Sequence, residues 1–203
     1  MANIALIGAS GAAGSRILRE LSNRGHSITA IARNPERIAA LPGVTALKGD
    51  AGDLQGLSEL LRGHDAVVSA ANFTSTDPAT LIGAVRAAGV ARYLVVGGAG
   101  SLEVAPGQRV IDLPDFPDEY KEEASRGADF LAQLEQESGL DWTFLSPSAE
   151  FVPGERTGTF RLGKDTLLSN DEGSRISFED YAVAMVDEIE RPAHSRQRFT
   201  VGY

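Results

Sequence analysis

Ile4, Ala5, Leu6 and Ile7 form an unbroken apolar run near the start of the chain, the pattern of a strand buried on both faces of a parallel sheet. Past Gly8, Gly11 and Gly14, the apolar residues Ile17, Leu18 and Leu21 recur at helical spacing with Arg16, Arg19 and Glu20 between them. This predicts an amphipathic helix. The alternation then repeats. Residues 26–33 predict a second strand ending at Arg33, and Asn34 with Pro35 supplies a helix N-cap and first helical position. Residues 43–50 predict a third strand ending at Asp50, followed by a short helix from Asp53 and a fourth strand over 65–72. A helix from Asp77 and Pro78 through Ala88, closed by Gly89, leads to a fifth strand over 91–98. Strands that alternate with helices in this way wind into a parallel sheet with helices on both faces, because each parallel pair needs a right-handed crossover.

The last third is less regular. Residues 98–117 include Pro106, Pro114 and Pro117 and are too long for a routine connection, which predicts a functional or lid-like loop. A long helix is expected over 118–139, a sixth strand over 141–148, and a turn with a short strand over 153–163. Ser177 with Asp180 makes a start resembling a capping box for a helix carrying Tyr181, Met185 and Ile189, and residues 198–203 predict a closing strand. The expected fold is α/β, a doubly wound parallel sheet with helices on both faces and a small C-terminal lobe, and residues 1–203 are expected to form one domain.

Composition narrows the chemistry. The chain has no cysteine, which removes disulfides, thiolate metal sites and cysteine nucleophiles and fits a reducing compartment. No apolar run approaches the roughly 20 residues that span a bilayer, and the first residues lack the basic and apolar regions of a signal peptide, so a cytoplasmic protein without membrane contact is expected. A net charge of −9 opposes general binding to nucleic acid. No histidine and carboxylate cluster has metal-ligand spacing, and there is no nucleophile elbow. His26, His64 and His194 each fall near the end of a predicted helix, where a histidine commonly meets exposed carbonyls.

The glycines after the first strand are the clearest chemical signal. A strand, a glycine turn and a helix start build an anion site: the glycines permit a tight turn and close backbone approach, and the free N–H groups of the helix start face the ligand. The spacing is G-x-x-G-x-x-G rather than the commoner G-x-G-x-x-G.

With this turn, Arg33, "GDAGD", "VVSAAN" and "VVGGAGSL" in order, the chain resembles the short-chain dehydrogenase/reductase superfamily. It is most similar to the atypical NAD(P)H-binding members, the group of NADH-flavin reductases, NmrA-like proteins and biliverdin reductase B. The resemblance extends through "LDWTFLSPS", "PGERTG" and "ISFEDYA". It implies a Rossmann-like fold with a C-terminal substrate lobe, the substrate side drawn mainly from 100–117 and 147–175, and a cofactor pyrophosphate over Gly8, Ser10, Gly11, Ala12 and Ala13, with Gly14 under the helix. It puts Asp50 and Ala51 at the adenine, where Asp50 is otherwise a turn-capping residue. Ala70, Ala71 and Asn72 fall along the nicotinamide-side ribose, with Gly97, Gly98 and Ala99 beside them; small residues at strand ends also serve packing. Arg33 stands where an acidic residue would accept from the ribose 2′-hydroxyl of NAD, and its guanidinium can instead clamp a 2′-phosphate, assisted by Ser10 and Arg37. NADP is therefore the expected cofactor, with NAD as the alternative.

Carbonyl reductases of this superfamily pair a tyrosine with a lysine four residues later on one helix, where the ammonium lowers the phenol pKa. Here Tyr120 is followed at once by Lys121, and the i+4 position is Ala124. Residues i and i+1 point about 100° apart, so Lys121 cannot replace the missing partner. Tyr120 and Ser101 remain the candidate catalytic residues, each with a packing or turn role as its alternative. The Pro147-Ser148 turn lies where family members form the substrate pocket, and Phe116 and Phe151 are candidates for an apolar wall against a flat acceptor. The expected function is NADPH-dependent hydride transfer to a flavin, a quinone or a similar conjugated acceptor, which can take its proton from water. The alternatives are an NmrA-like dinucleotide-binding redox sensor and a nucleotide-sugar epimerase or dehydratase. Either a monomer or a homodimer fits the sequence.

Overall fold

The computed structural model describes residues 1–203. Five parallel strands open the chain: β1 (Asn3–Ile7), β2 (Ser27–Ala32), β3 (Val44–Lys48), β4 (Ala66–Ser69) and β5 (Arg92–Val96). They are linked by helices α1 (Ala12–Asn23), α2 (Leu54–Leu61) and α3 (Pro78–Ala88). A small hairpin, β6 (Glu103–Ala105) and β7 (Gln108–Arg109), precedes α4 (Asp118–Glu135) and β8 (Asp141–Pro147). The C-terminal part adds β9 (Glu150–Val152), β10 (Arg161–Gly163), β11 (Arg175–Ser177), α5 (Phe178–Glu190) and β12 (Gln197–Gly202).

The main sheet has eight strands in the order β10-β12-β8-β5-β4-β1-β2-β3, and every pair is parallel except β10 with β12. This is the doubly wound α/β architecture. β1 lies between β2 and β4, so the connections leaving β1 and β4 pass to opposite faces and open a crevice at their carboxyl ends.

The two-residue period of the strands divides the interior. Ile4 and Leu6 of β1 join Leu94, Leu145 and the buried residues of α1 and α5 in one core of 22 residues. Ala5 and Ile7 face the other way and pack with Tyr93, Val95, Phe144 and helices α2, α3 and α4 in a core of 20. The helix starts are capped as their residue types dictate: Asp53 accepts from the Gly56 N–H, Asp77 from Thr80, and Ser177 from Asp180. Gly89 closes α3 in the left-handed region.

Two expectations are corrected. The helix predicted from Pro35 is only one 3₁₀ turn, Pro35–Arg37. Ile38 leaves it in an extended conformation and buries its side chain in the α1 core, and Pro42 disfavours helix at the residue before it. The stretch 98–117 is not structureless, since it holds the β6–β7 hairpin, turned at Pro106 and Gly107 with φ +74° at Gly107, and a further 3₁₀ turn at Val110–Asp112. Past β8, β9 and β11 form a separate parallel pair. No helix is long and apolar enough to cross a membrane.

Candidate functional site

At the carboxyl end of β1, Gly8 adopts φ +79°, and a β-carbon there would lie 2.6 Å from the Ala70 carbonyl oxygen. The chain therefore turns in contact with the end of β4 through a conformation that favours glycine. Gly8 and Ala9 donate to the Ile31 carbonyl at 2.9 and 3.3 Å, which ties the turn to β2. Gly14 is buried, and a β-carbon on it would collide with the Gly8 carbonyl, so α1 can approach the turn only through glycine. Gly11 differs. A β-carbon there meets Gly8 O at 3.3 Å and Ala70 O at 3.9 Å, and the space beyond is open.

The helix start facing that space is unsatisfied. Gly11 donates to Gly8 O, and the first helical bond runs from Ser15 to Gly11 O, which leaves the N–H groups of Ala12, Ala13 and Gly14 without protein acceptors. No acidic residue stands in the first turn of α1, and no side chain caps it. A diphosphate fits this cradle: an open face where any side chain would intrude, with three backbone donors at the positive end of a helix dipole.

Around the rim, Arg33 follows β2 directly; it is exposed and paired with no carboxylate, as is Arg37. Asp50 follows β3, with one carboxylate oxygen accepting from the Gly52 N–H at 2.9 Å in a local turn. Ala51 is half-buried beside it. Ala70 and Ala71 are half-buried at the end of β4, and Asn72 exposes a side chain that has no protein partner. Ser10 is half-exposed, with a free hydroxyl. The structure thus gathers the residues singled out on β1, β2, β3 and β4 at one end of the sheet.

Gly97 is placed differently. It is buried, donates to Leu145 O at 2.8 Å, and has the Phe144 ring where a side chain would stand, so sheet packing accounts for the glycine. Gly98 and Ala99 are more open.

The catalytic candidates lie on the β5 side. The Ser101 hydroxyl is 3.1 Å from Arg198 Nη1, which donates to it, while Arg198 Nε donates to Asp165 at 2.8 Å. Tyr120 is in the first turn of α4 and is 59% exposed. Tyr93 and Tyr181 are fully buried, and burial pushes both phenols up. Tyr203 is half-buried, and its hydroxyl donates to Asp180 at 2.8 Å with the Ser177 hydroxyl 2.9 Å away. Tyr120 is therefore the one exposed tyrosine of the four. Its i+4 neighbour, Ala124, abuts Gly100: a β-carbon on Gly100 would come within 2.7 Å of the Ala124 methyl. Lys121 pairs with Asp118 at 2.6 Å. Phe151 packs edge-on against Phe178 and tilted against Tyr181, with ring centroids at 4.5 and 4.6 Å, and so covers the core from a half-buried position. Phe116 is half-buried.

The histidines are all engaged within the fold. His26 meets Glu190 at 3.0 Å, His64 bridges Leu61 O and Thr29, and His194 contacts buried Glu188 at 2.7 Å while stacking on Phe199. A residue that the sequence reading passed over is Glu123 of α4, whose carboxylate accepts from the N–H groups of Phe73 and Thr74 just after Asn72.

Strand order, the glycine turn and its unpaired donors define a dinucleotide-binding α/β protein. The chain belongs to the NAD(P)H-binding family, whose model matches residues 8–192. It is 43% identical to the uncharacterized protein YwnB of Bacillus subtilis over 209 residues, covering 98% of this chain and 97% of YwnB. Among solved structures, a Bacteroides thetaiotaomicron protein provisionally named an epimerase is 43% identical with a TM-score of 0.95, over 100% of this chain and 97% of that one. A Streptococcus pneumoniae protein provisionally named an NADH-flavin reductase is 36% identical with a TM-score of 0.86, over 100% and 99% of the two chains.

Proposed function

We propose that the protein is an NADPH-dependent reductase that passes hydride to a flavin, a quinone or a similar conjugated acceptor. The observation that carries this reading is the combination of an open dinucleotide cradle with Ala124, packed on Gly100, where the superfamily's carbonyl reductases have their lysine. When bound, NADPH supplies the hydride. The N–H groups of Ala12, Ala13 and Gly14 hold the pyrophosphate, and Gly11 keeps the approach clear. Arg33, exposed and unpaired, clamps the 2′-phosphate, with Arg37 beside it in sequence. The second oxygen of Asp50 and the N–H of Ala51 read the adenine, and Ala70, Ala71 and Asn72 receive the nicotinamide-side ribose. A conjugated acceptor takes hydride at an electron-poor ring atom and its proton from water, so no activated tyrosine is needed.

The name of the S. pneumoniae neighbour supports this reaction class. The name of the B. thetaiotaomicron neighbour suggests epimerisation instead. Against that second reading, the tyrosine-lysine pair is missing. The test is loss of nicotinamide absorbance when protein and NADPH meet a panel of flavins, quinones, aldehydes and ketones. Turnover with flavins or quinones and none with simple carbonyls is expected. Tight binding of NADPH without turnover of any acceptor would make the protein a redox sensor, and turnover restricted to carbonyls would overturn the assignment.

A further inference from the structure

The segment that follows β4 is held in place by α4. Glu123 uses both carboxylate oxygens on it, one accepting from the Phe73 N–H and the other from the Thr74 N–H, each at 2.8 Å. Four residues further along the same helix face, Gly127 leaves room for the Phe73 ring, which would be 3.0 Å from a β-carbon there. The ring is 7% exposed and meets Phe130 edge-on at 5.6 Å.

Asn72 stands between this grip and the end of β4. Its backbone carbonyl accepts from the Ser75 N–H and hydroxyl at 3.2 Å and from the Thr76 hydroxyl at 2.8 Å. Its side-chain carboxamide is exposed and bonds to nothing in the protein. The backbone is thus fixed on both sides of a polar group that is left free.

We propose that Glu123 is a positioning residue for the nicotinamide end of the cofactor. By holding residues 73 and 74 it sets where Asn72 presents its carboxamide, and where Ala70 and Ala71 present their backbone, to the ribose next to the nicotinamide. The inference rests on the dinucleotide reading given above. A carboxylate suits the task because two N–H donors need two acceptor oxygens; a glutamine offers one oxygen and sets its NH₂ against the second donor.

The experiment is calorimetric titration of the wild-type protein, Glu123→Ala and Glu123→Gln with NADPH and with 2′-phospho-ADP. The second ligand keeps the adenosine, the 2′-phosphate and the pyrophosphate but lacks the second ribose and the nicotinamide. Glu123→Ala is expected to bind NADPH about tenfold more weakly and 2′-phospho-ADP unchanged, with Glu123→Gln between it and wild type for NADPH. Equal losses for the two ligands would make Glu123 a general brace of the fold and overturn the proposal, as would undiminished NADPH binding. Should Glu123→Ala fail to fold, the near-isosteric Glu123→Gln carries the same comparison. Wild-type protein that bound neither ligand would remove the dinucleotide reading and this inference with it.

Discussion

Arginine and backbone amide groups meet opposite fates at the two ends of α1. At its N-terminal end, the N–H groups of Ala12, Ala13 and Gly14 have no protein acceptor, and nearby Arg33 pairs with no carboxylate. At its C-terminal end and along its seam with α5 and residues 153–158, the charges are matched. Arg24 reaches Glu20, Asp187 and Glu190 at 2.7–2.8 Å. Arg156 donates from Nε and Nη2 to the two oxygens of Glu20, each at 2.8 Å, and its hydrogen bonds, with those of Arg24, hold the Glu20 carboxyl below the usual range against the opposing effect of burial. Arg16 meets Glu179 at 3.0 Å, and Glu179 also accepts from the Gly154 N–H. A half-open polar cavity of about 420 Å³ lies on the seam, with Arg16, Arg19 and Arg156 in its walls; Arg16 and Arg156 have carboxylate partners, and Arg19 alone of the three has none. The difference teaches that cations clustered along the seam are largely closed on carboxylates of the protein itself, while the donors at the start of α1 are left to water or a ligand, which takes the missing partner's place.

Filling the open end should have the largest effect. Gly11→Val places a branched side chain in the space that the pyrophosphate needs, while its β-carbon meets the protein no closer than 3.3 Å. We expect a folded protein whose affinity for NADPH and NADH falls by more than about a hundredfold, roughly 3 kcal/mol. Gly14→Val should instead compromise folding, because the added atom meets the Gly8 carbonyl. Calorimetry and thermal melting of the two variants read the contrast directly. Normal dinucleotide affinity in folded Gly11→Val would return the glycine turn to a purely structural role.

The paired end should behave the other way round. Asp180 is fully buried and accepts from the Thr157 hydroxyl at 2.6 Å, the Gly158 N–H at 2.7 Å and the Tyr203 hydroxyl at 2.8 Å. Asp180→Ala strands three donors, at a cost of about 2–4 kcal/mol, which for a chain of this size is a fall in melting temperature of roughly 4–16 °C. NADPH affinity should stay within a factor of about three, since these contacts fasten the seam and not the cradle. A large loss of affinity with an unchanged melting temperature would erase the distinction between the two ends.

The unpaired end was the legible one. Its elements follow from local patterns: Ile4 to Ile7, the glycine spacing, and the caps at Asp53 and Asp77 all act within a few residues of their effects. The paired end was not, because, Arg24 with Glu20 apart, its bonds join residues far apart in the chain. Arg156 and Glu20 are separated by 136 positions and Arg92 and Glu188 by 96, distances over which no spacing rule operates. Glu123 was missed for the same reason; on a helix rich in acidic residues nothing local distinguishes it from Glu122, which pairs with Arg126. The β6–β7 hairpin did carry a local signal in Pro106-Gly107, a proline and glycine at the centre of a turn that needs positive φ at the second position. At Pro35 the cap residues did predict a helix, and burial of Ile38 overrode them after one turn.

Removing a single unpaired cation sharpens the contrast further. Arg33→Ala takes away no contact within the protein, so melting should be unchanged within about 0.5 kcal/mol. Loss of one charge-assisted contact to the 2′-phosphate should weaken NADPH by about tenfold to a hundredfold and leave NADH nearly untouched. Equal losses for the two cofactors would sink the 2′-phosphate assignment. The control is Arg24, also an arginine, which has carboxylate partners at 2.7–2.8 Å: Arg24→Ala should lower stability and spare the preference between cofactors.

The smallest effect concerns the one exposed tyrosine. Tyr120 stands on the first turn of α4, and the i+4 position holds Ala124, packed against Gly100, where the superfamily's carbonyl reductases have their lysine. Lys121 is turned to Asp118. A phenol acting as general acid would contribute roughly 10²–10⁴-fold to turnover, and its removal would be plain. For hydride transfer to a flavin or quinone that takes its proton from water, Tyr120→Phe should change kcat by less than about threefold. At 59% exposure its loss should scarcely alter melting. The measurement is steady-state turnover of wild-type protein and variant with a quinone and with an aldehyde, together with NADPH affinity. A fall of two or more orders of magnitude with the quinone, at intact NADPH affinity, would mean that Tyr120 reaches the reacting atoms without the lysine. The proton source would then lie on α4, the same helix that grips the strap beside the cradle through Glu123.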